Sequence, residues 1–180
     1  MSSTVLVRSH QRSRFIDVRL LRRISRELLL ELFPRQRYEL GVHLVDKKLM
    51  IRLNEAFLRH QGSTDVITFD YRQASEPQVL RGEIFVCIDE ALIQARRFRT
   101  SWQNELVRYV VHGLLHLSGY DDQRQQARRT MKRAENRLLN RLATRFVLAK
   151  IGRGVGRAFR RSNPKAERNP KAEGLAKRQR

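Results

Sequence analysis

Cysteine is nearly absent from this sequence: Cys87 is the only one among 180 residues. A lone thiol rules out an internal disulfide framework, and a reducing compartment is the expected setting. No apolar run approaches the roughly 18–20 residues that span a bilayer. The first residues, MSSTVLVRSHQRSR, lack the apolar core of a secretory signal. These absences together predict a cytoplasmic protein with no membrane partner. Negative charge is also short, with 18 Asp+Glu against 38 Lys+Arg and a formal net charge of +20. Such an excess says little about fold, but it favours a polyanionic partner, and nucleic acid is the commonest one.

What is present suits one globular domain, since 41% hydrophobic and 31% charged residues are the proportions of a folded chain. Residues 4–8, TVLVR, read as a first strand. From Ile16 to Phe33, apolar residues recur with helical spacing until Pro34 stops them. Tyr38 to Val45 alternate as a half-buried strand, and Asp46 opens a helix through about Leu58. STDVITFDY (63–71) and GEIFVCID (82–89) read as two strands joined by a long hairpin connection that contains Pro77. Asp89 is the expected N-cap of the helix ALIQARRFR. Trp102 to Leu117 is the most apolar helix and the expected centre of the core. A basic helix follows from about Gln123 to Leu148. The expected fold is therefore α+β, a small mixed sheet of about four strands packed with helices.

Composition changes after residue 149. Residues 150–180 carry 11 Lys+Arg and 2 acidic residues, with the tandem hexapeptide NPKAER–NPKAEG at 163–174. This segment reads as a basic, disordered tail appended to a domain at 1–149. Eleven of the twenty excess positive charges still lie in the domain itself.

The most informative stretch is VVHGLLHLSGYDDQ at 110–123. Residues i and i+4 share a helix face, so His112 and His116 can turn both imidazoles toward one metal ion. Ser118-Gly119 ends the helix and lets residues 120–122 fold back to the same site, where a third ligand would leave one coordination position open for water. Two hydrogen-bonded core histidines are the alternative. Gly113 stands where a metalloprotease helix of the H-E-x-x-H type carries its general base, so a peptidase is a poor reading. Cys87 reads as a small core residue, His43 as a structural or exposed strand residue, and His60 as a surface residue.

HGLLHLSGYDD (112–122) resembles the H-G-x-L-H-L-x-G-Y-D-H signature of the YbeY family of metal-dependent endoribonucleases. LNEAFLR (53–59), STDVITF (63–69) and GEIFVCIDEA (82–91) resemble three more of its segments, in the same order. Met131 and Glu135 fit the M-x-x-x-E of its last helix. The likeness covers about residues 40–140, and one position departs from it: Asp122 stands where the family has its third metal-binding histidine. Aspartate is a sound zinc ligand, and a His-His-Asp set is harder and more negative, which admits another divalent metal.

The resemblance implies one zinc ion on His112, His116 and Asp122, with Asp121 as a cap or a support for a histidine. It implies a catalytic role for His112, His116 and Arg59, the last as a phosphate-holding guanidinium. The basic helices add Arg96 and Arg97 as RNA contacts. The implied substrate is single-stranded RNA rather than DNA. The implied role is ribosomal RNA (16S 3′-end) maturation and ribosome quality control, with the small subunit, a ribosomal protein or a GTPase as partner. The alternative is a non-catalytic RNA- or ribosome-binding assembly factor whose metal is structural or lost.

Overall fold

A four-stranded sheet forms the frame of the computed structural model, which describes residues 3–154. Strands β1 (Thr4–Ser9), β3 (Arg37–Val45), β5 (Val79–Cys87) and β4 (Val66–Asp70) lie side by side in that order. The first three are mutually parallel, and β4 runs antiparallel to β5. The sheet is thus mixed and four-stranded, as expected, and the hairpin joins β4 to β5 with Val66 opposite Val86. Five helices accompany it: α1 (Val18–Leu32), α2 (Lys47–Leu53), α3 (Ile88–Phe98), α4 (Trp102–Leu117) and α5 (Gln125–Arg145). Among the described residues no helix is long and apolar enough to cross a membrane.

Helix α4 is the central one. Its buried residues include Leu106, Val107, Val110, Val111, Leu114 and Leu117, which spread over most of its circumference. It lies against β4 and β5 at Gly113, where an added Cβ would come within 2.7 Å of Ile84 Cγ2. The close approach of strand and helix therefore requires glycine between the two histidines. Ser101 caps the helix by accepting from the Asn104 amide. On the far side, α5 packs Met131, Ala134, Leu138 and Leu142 inward. Arg141 and Arg145 of α5 pair with Glu31 and Glu27 of α1.

Several boundaries differ from the sequence reading. Ile16 does not begin α1; it ends the short strand β2 (Arg14–Ile16), which pairs antiparallel with β6 (Gly152–Gly154). Asp17 caps α1 instead, accepting from the amides of Arg19 and Leu20. Asp89 does not cap α3. Strand β5 runs directly into that helix, so Asp89 falls in its first turn, and its carboxylate accepts from the Lys47 amide at the start of α2 at 2.6 Å. Helix α2 widens into a π turn at Asn54–Leu58, closed by Arg59 in the left-handed region with φ 56°. The body extends through a 3₁₀ turn at Leu148–Ile151 into β6. A basic tail is expected from residue 150, but residues 150–154 belong to this turn and strand, and the rest of it lies outside the described residues.

Candidate metal centre and its cleft

The end of α4 builds the site through backbone geometry. Gly119 takes φ 94°, a left-handed value that costs glycine little. The chain can then reverse so that the Gly119 amide donates to His116 O and the Tyr120 amide to Leu115 O, a Schellman closure. This reversal sets the Tyr120 carbonyl 3.1 Å from His116 Nδ1. One turn earlier, His112 Nδ1 lies 2.6 Å from Glu135 Oε1 of α5. Both acceptors assign the ring proton to Nδ1.

Each Nε2 then carries a lone pair, and the two Nε2 atoms face each other at 3.0 Å. Two lone pairs do not bind one another; a cation between them, a proton or a metal ion, makes the arrangement favourable. Asp122 Oδ2 stands 3.7 Å from His112 Nε2. One ligand atom from each of His112, His116 and Asp122 lies within 4.8 Å of the others. Two imidazoles and a carboxylate form a donor set suited to zinc and to neighbouring divalent metals, so these residues fit such an ion.

Glu135 anchors the centre from behind. It is buried, and besides His112 it receives Lys132 Nζ at 3.2 Å and approaches Arg108 Nη1 at 3.4 Å. Burial disfavours a charged His112 imidazole, but the Glu135 carboxylate outweighs it and holds the His112 pKa above its ordinary 6.5. Burial likewise pushes the Glu135 carboxyl up, yet His112 and Lys132 prevail and hold it below 4.5. A raised histidine pKa contributes stability that is complete below 6.5 and is lost as pH rises through the raised value. A depressed carboxyl pKa contributes stability present above 4.5 and lost as pH falls through the depressed value. In metal-free protein the pair therefore stabilises most between those two limits. Thermal unfolding of metal-free wild type and Glu135→Gln should differ most near about pH 5.5, with the gap shrinking above the raised His112 value. A gap independent of pH would contradict this pairing.

His112 and Asp122 open onto a cleft of about 700 Å³ between α3, α4 and α5. Asp65, from the STDV segment, lines it and contributes to the field that raises the His112 pKa. Arg97, Arg108, Arg128 and Lys132 supply cations around the same space. Of the residues singled out in the sequence, His112, His116 and Asp122 are brought together, and Arg97 lines their cleft. Arg96 faces a separate hollow beside α2. Arg59 is exposed on the loop before β4 and is not among the residues lining the cleft. Asp121 takes the capping part of its expected role, accepting from the Gln123 amide at 3.0 Å. Cys87 is buried, which pushes its thiol pKa up and fits a core residue.

Two residues of the site had no role assigned from sequence. Glu135 carried a signal, being a carboxylate on the apolar face that includes Met131, Ala134 and Leu138; a charge there needs a partner. Asp65 carried none, since its approach to α4 depends on the fold.

A family model described as Endoribonuclease YbeY matches residues 7–143. The Endoribonuclease YbeY of Chlorobium phaeobacteroides is 42% identical over 88 residues, which are 49% of this chain and 62% of that protein. The one from Salinibacter ruber is 38% identical over 102 residues, 53% of this chain and 65% of the relative. A third, from Chlorobaculum parvum, is 40% identical over 88 residues, 49% and 60% respectively. The chain thus spans somewhat less than two-thirds of the length of each of these relatives. Among solved structures, a Thermotoga maritima protein determined in solution superimposes with a TM-score of 0.53 at 24% identity. That match covers 79% of this chain and 93% of the other and shows a shared fold.

Proposed function

Because the chain belongs to the Endoribonuclease YbeY family, we propose that it is a metal-dependent endoribonuclease that cuts single-stranded RNA. Its cellular role in this reading is cytoplasmic: maturation of ribosomal RNA, including the 16S 3′ end, and quality control of ribosomes, in contact with the small subunit. The observation that carries the reading is the pair of imidazole lone pairs converging beside a carboxylate at the mouth of a cation-lined cleft.

His112, His116 and Asp122 would hold one zinc ion per chain. Such an ion supplies Lewis acidity toward a phosphate oxygen and lowers the pKa of water. Glu135 and the Tyr120 carbonyl fix the ring orientation and tautomer of the two histidines, the usual contribution of residues behind a metal ligand. Arg97 and Lys132 attract the RNA backbone into the cleft by salt-dependent phosphate contacts, and Arg96 extends that field along α3. Arg59, on the exposed loop outside the cleft, offers a planar guanidinium able to grip two phosphate oxygens of the bound strand. The test is cleavage of a labelled single-stranded oligoribonucleotide beside the same strand in a duplex. Cleavage of the single strand alone, abolished by EDTA and restored by zinc, is the expected result. Undiminished cleavage in EDTA, or none in zinc, would overturn the reading.

A further inference from the structure

Among the described residues, the face of the sheet turned away from α4 is covered by α2 at one end only, where Val45, Met50, Ile67 and Cys87 pack together. Partly against that cluster and partly beyond it, a connected series of rings runs from the end of β1 across β3 and β5 to β4. His10, just beyond β1, stacks on His43 of β3 with centroids 5.3 Å apart, and His43 stacks on Phe85 of β5 at 4.6 Å. Phe85 meets Phe69 of β4 edge-on at 5.7 Å. Phe69 in turn contacts Phe57 edge-on at 5.1 Å and lies parallel to Tyr71 at 6.2 Å. The series ends in open rings: Phe57 is 61% exposed and Tyr71 50%. Phe57 and Tyr71 both contact Phe69, so they form one contiguous exposed aromatic patch rather than isolated rings.

We propose that this open sheet face is a stacking platform for the bases of single-stranded RNA, with Phe57 and Tyr71 as its exposed contacts. The inference rests on the reading of the chain as an enzyme that acts on RNA. Flat rings on a sheet bind unpaired bases with little regard to sequence, because every base has a π-face. Two cations near the rings are open to phosphates. Asp70 pairs with Arg72 and Glu39 with Arg81, while Glu83 accepts from the Tyr71 hydroxyl. Arg8, opposite His43 in the ladder, and Arg59, two residues after Phe57, form no ion pair among the described residues. Arg81 is shared with Glu76, and among the described residues Glu83 has only the buried His43 beside it as a basic partner, so the face carries carboxylates as well as these two open cations.

Edge strand β4 joins the platform to the candidate metal centre on the other side of the sheet. Asp65, which lines the cleft, immediately precedes β4, and Tyr71 immediately follows it. Strand β4 is an edge of the sheet, so it links the two sites over about 20 Å, a span of a few extended nucleotides. An RNA strand lying along this edge would place bases on Phe57 and Tyr71 while another part of it enters the cleft, passing the Arg59 loop.

Binding of a fluorescein-labelled twelve-nucleotide oligouridylate to the full chain in EDTA tests the platform apart from cleavage. The double variant Phe57→Ala/Tyr71→Ala should raise Kd by roughly tenfold or more, the scale of losing stacked bases. Tyr71→Phe, which keeps the ring and loses the bond to Glu83, should bind as wild type. In Tyr71→Trp, the indole emission in excess of that from Trp102 should be quenched saturably by the unlabelled oligonucleotide. Wild-type affinity in the double variant, or unquenched emission from Trp at 71 with RNA bound, would overturn the platform and leave the endoribonuclease reading standing. A wild-type chain that does not bind the oligonucleotide would remove both. Should the double variant fail to fold, the two single variants at Tyr71 decide the matter.

Discussion

His116→Ala is expected to bind zinc at least about 100-fold more weakly than wild type and to lose RNA cleavage in proportion. Loss of a residue that merely supports a ligand already costs 10–100-fold in metal affinity, and here one of the three ligands itself is removed. The remaining pair, His112 Nε2 and Asp122 Oδ2 at 3.7 Å, makes a poor chelate. The fold should survive. Helix α4 is held by Leu106, Val110, Leu114 and Leu117, and its Schellman closure is made by backbone groups. His116 contributes one hydrogen bond to the Tyr120 carbonyl, whose loss costs on the order of 1 kcal/mol. Metal titration with a competing chelator, together with circular dichroism, checks both halves. Unchanged zinc affinity in the folded variant would end the assignment of this pair as ligands.

Arg59→Glu should reduce cleavage by roughly 10- to 100-fold, the scale of losing charge-assisted hydrogen bonds to a phosphate of the bound strand. Its zinc content should stay at the wild-type level. Arg59 lies outside the cleft residues, so the charge reversal leaves His112, His116, Asp122 and Glu135 untouched. It also lies two residues after Phe57, at the end of the π turn. Reversal there places a carboxylate against the phosphates and should also raise the Kd for single-stranded RNA. Single-turnover cleavage and elemental analysis of one preparation separate the two effects. Cleavage at the wild-type rate would reduce Arg59 to one surface cation among 38 Lys+Arg.

The parts legible in the sequence were those encoded locally. Helical spacing exposed α4 and put His112 and His116 on one face, and Ser118-Gly119 announced the reversal that the structure closes at φ 94°. Alternation and β-branching found the four strands of the main sheet, but their parallel order depends on which crossovers pack, which no local pattern records. Strand β2 was missed because its partner β6 lies more than 130 residues away; three residues, RFI, carry no signal on their own. Asp89 was misread because a carboxylate at a strand–helix junction suits either helix start, and the structure gives it to the neighbouring α2. Glu135 sat on a buried helix face with its partner on another helix. The aromatic series was invisible for the same reason, since His10, His43, Phe57, Phe69 and Phe85 meet only once the sheet and the π turn are assembled.

The central claim is that His112, His116 and Asp122 together form a hydrolytic metal centre, aspartate replacing a histidine. Elemental analysis of purified wild type and Asp122→Ala, each assayed on single-stranded RNA, tests it most directly. The expected result is about one equivalent of zinc in wild type and far less in the variant, with cleavage falling alongside the metal. A wild-type protein that binds RNA without metal or cleavage, or an Asp122→Ala variant retaining its full zinc and activity, would contradict the claim.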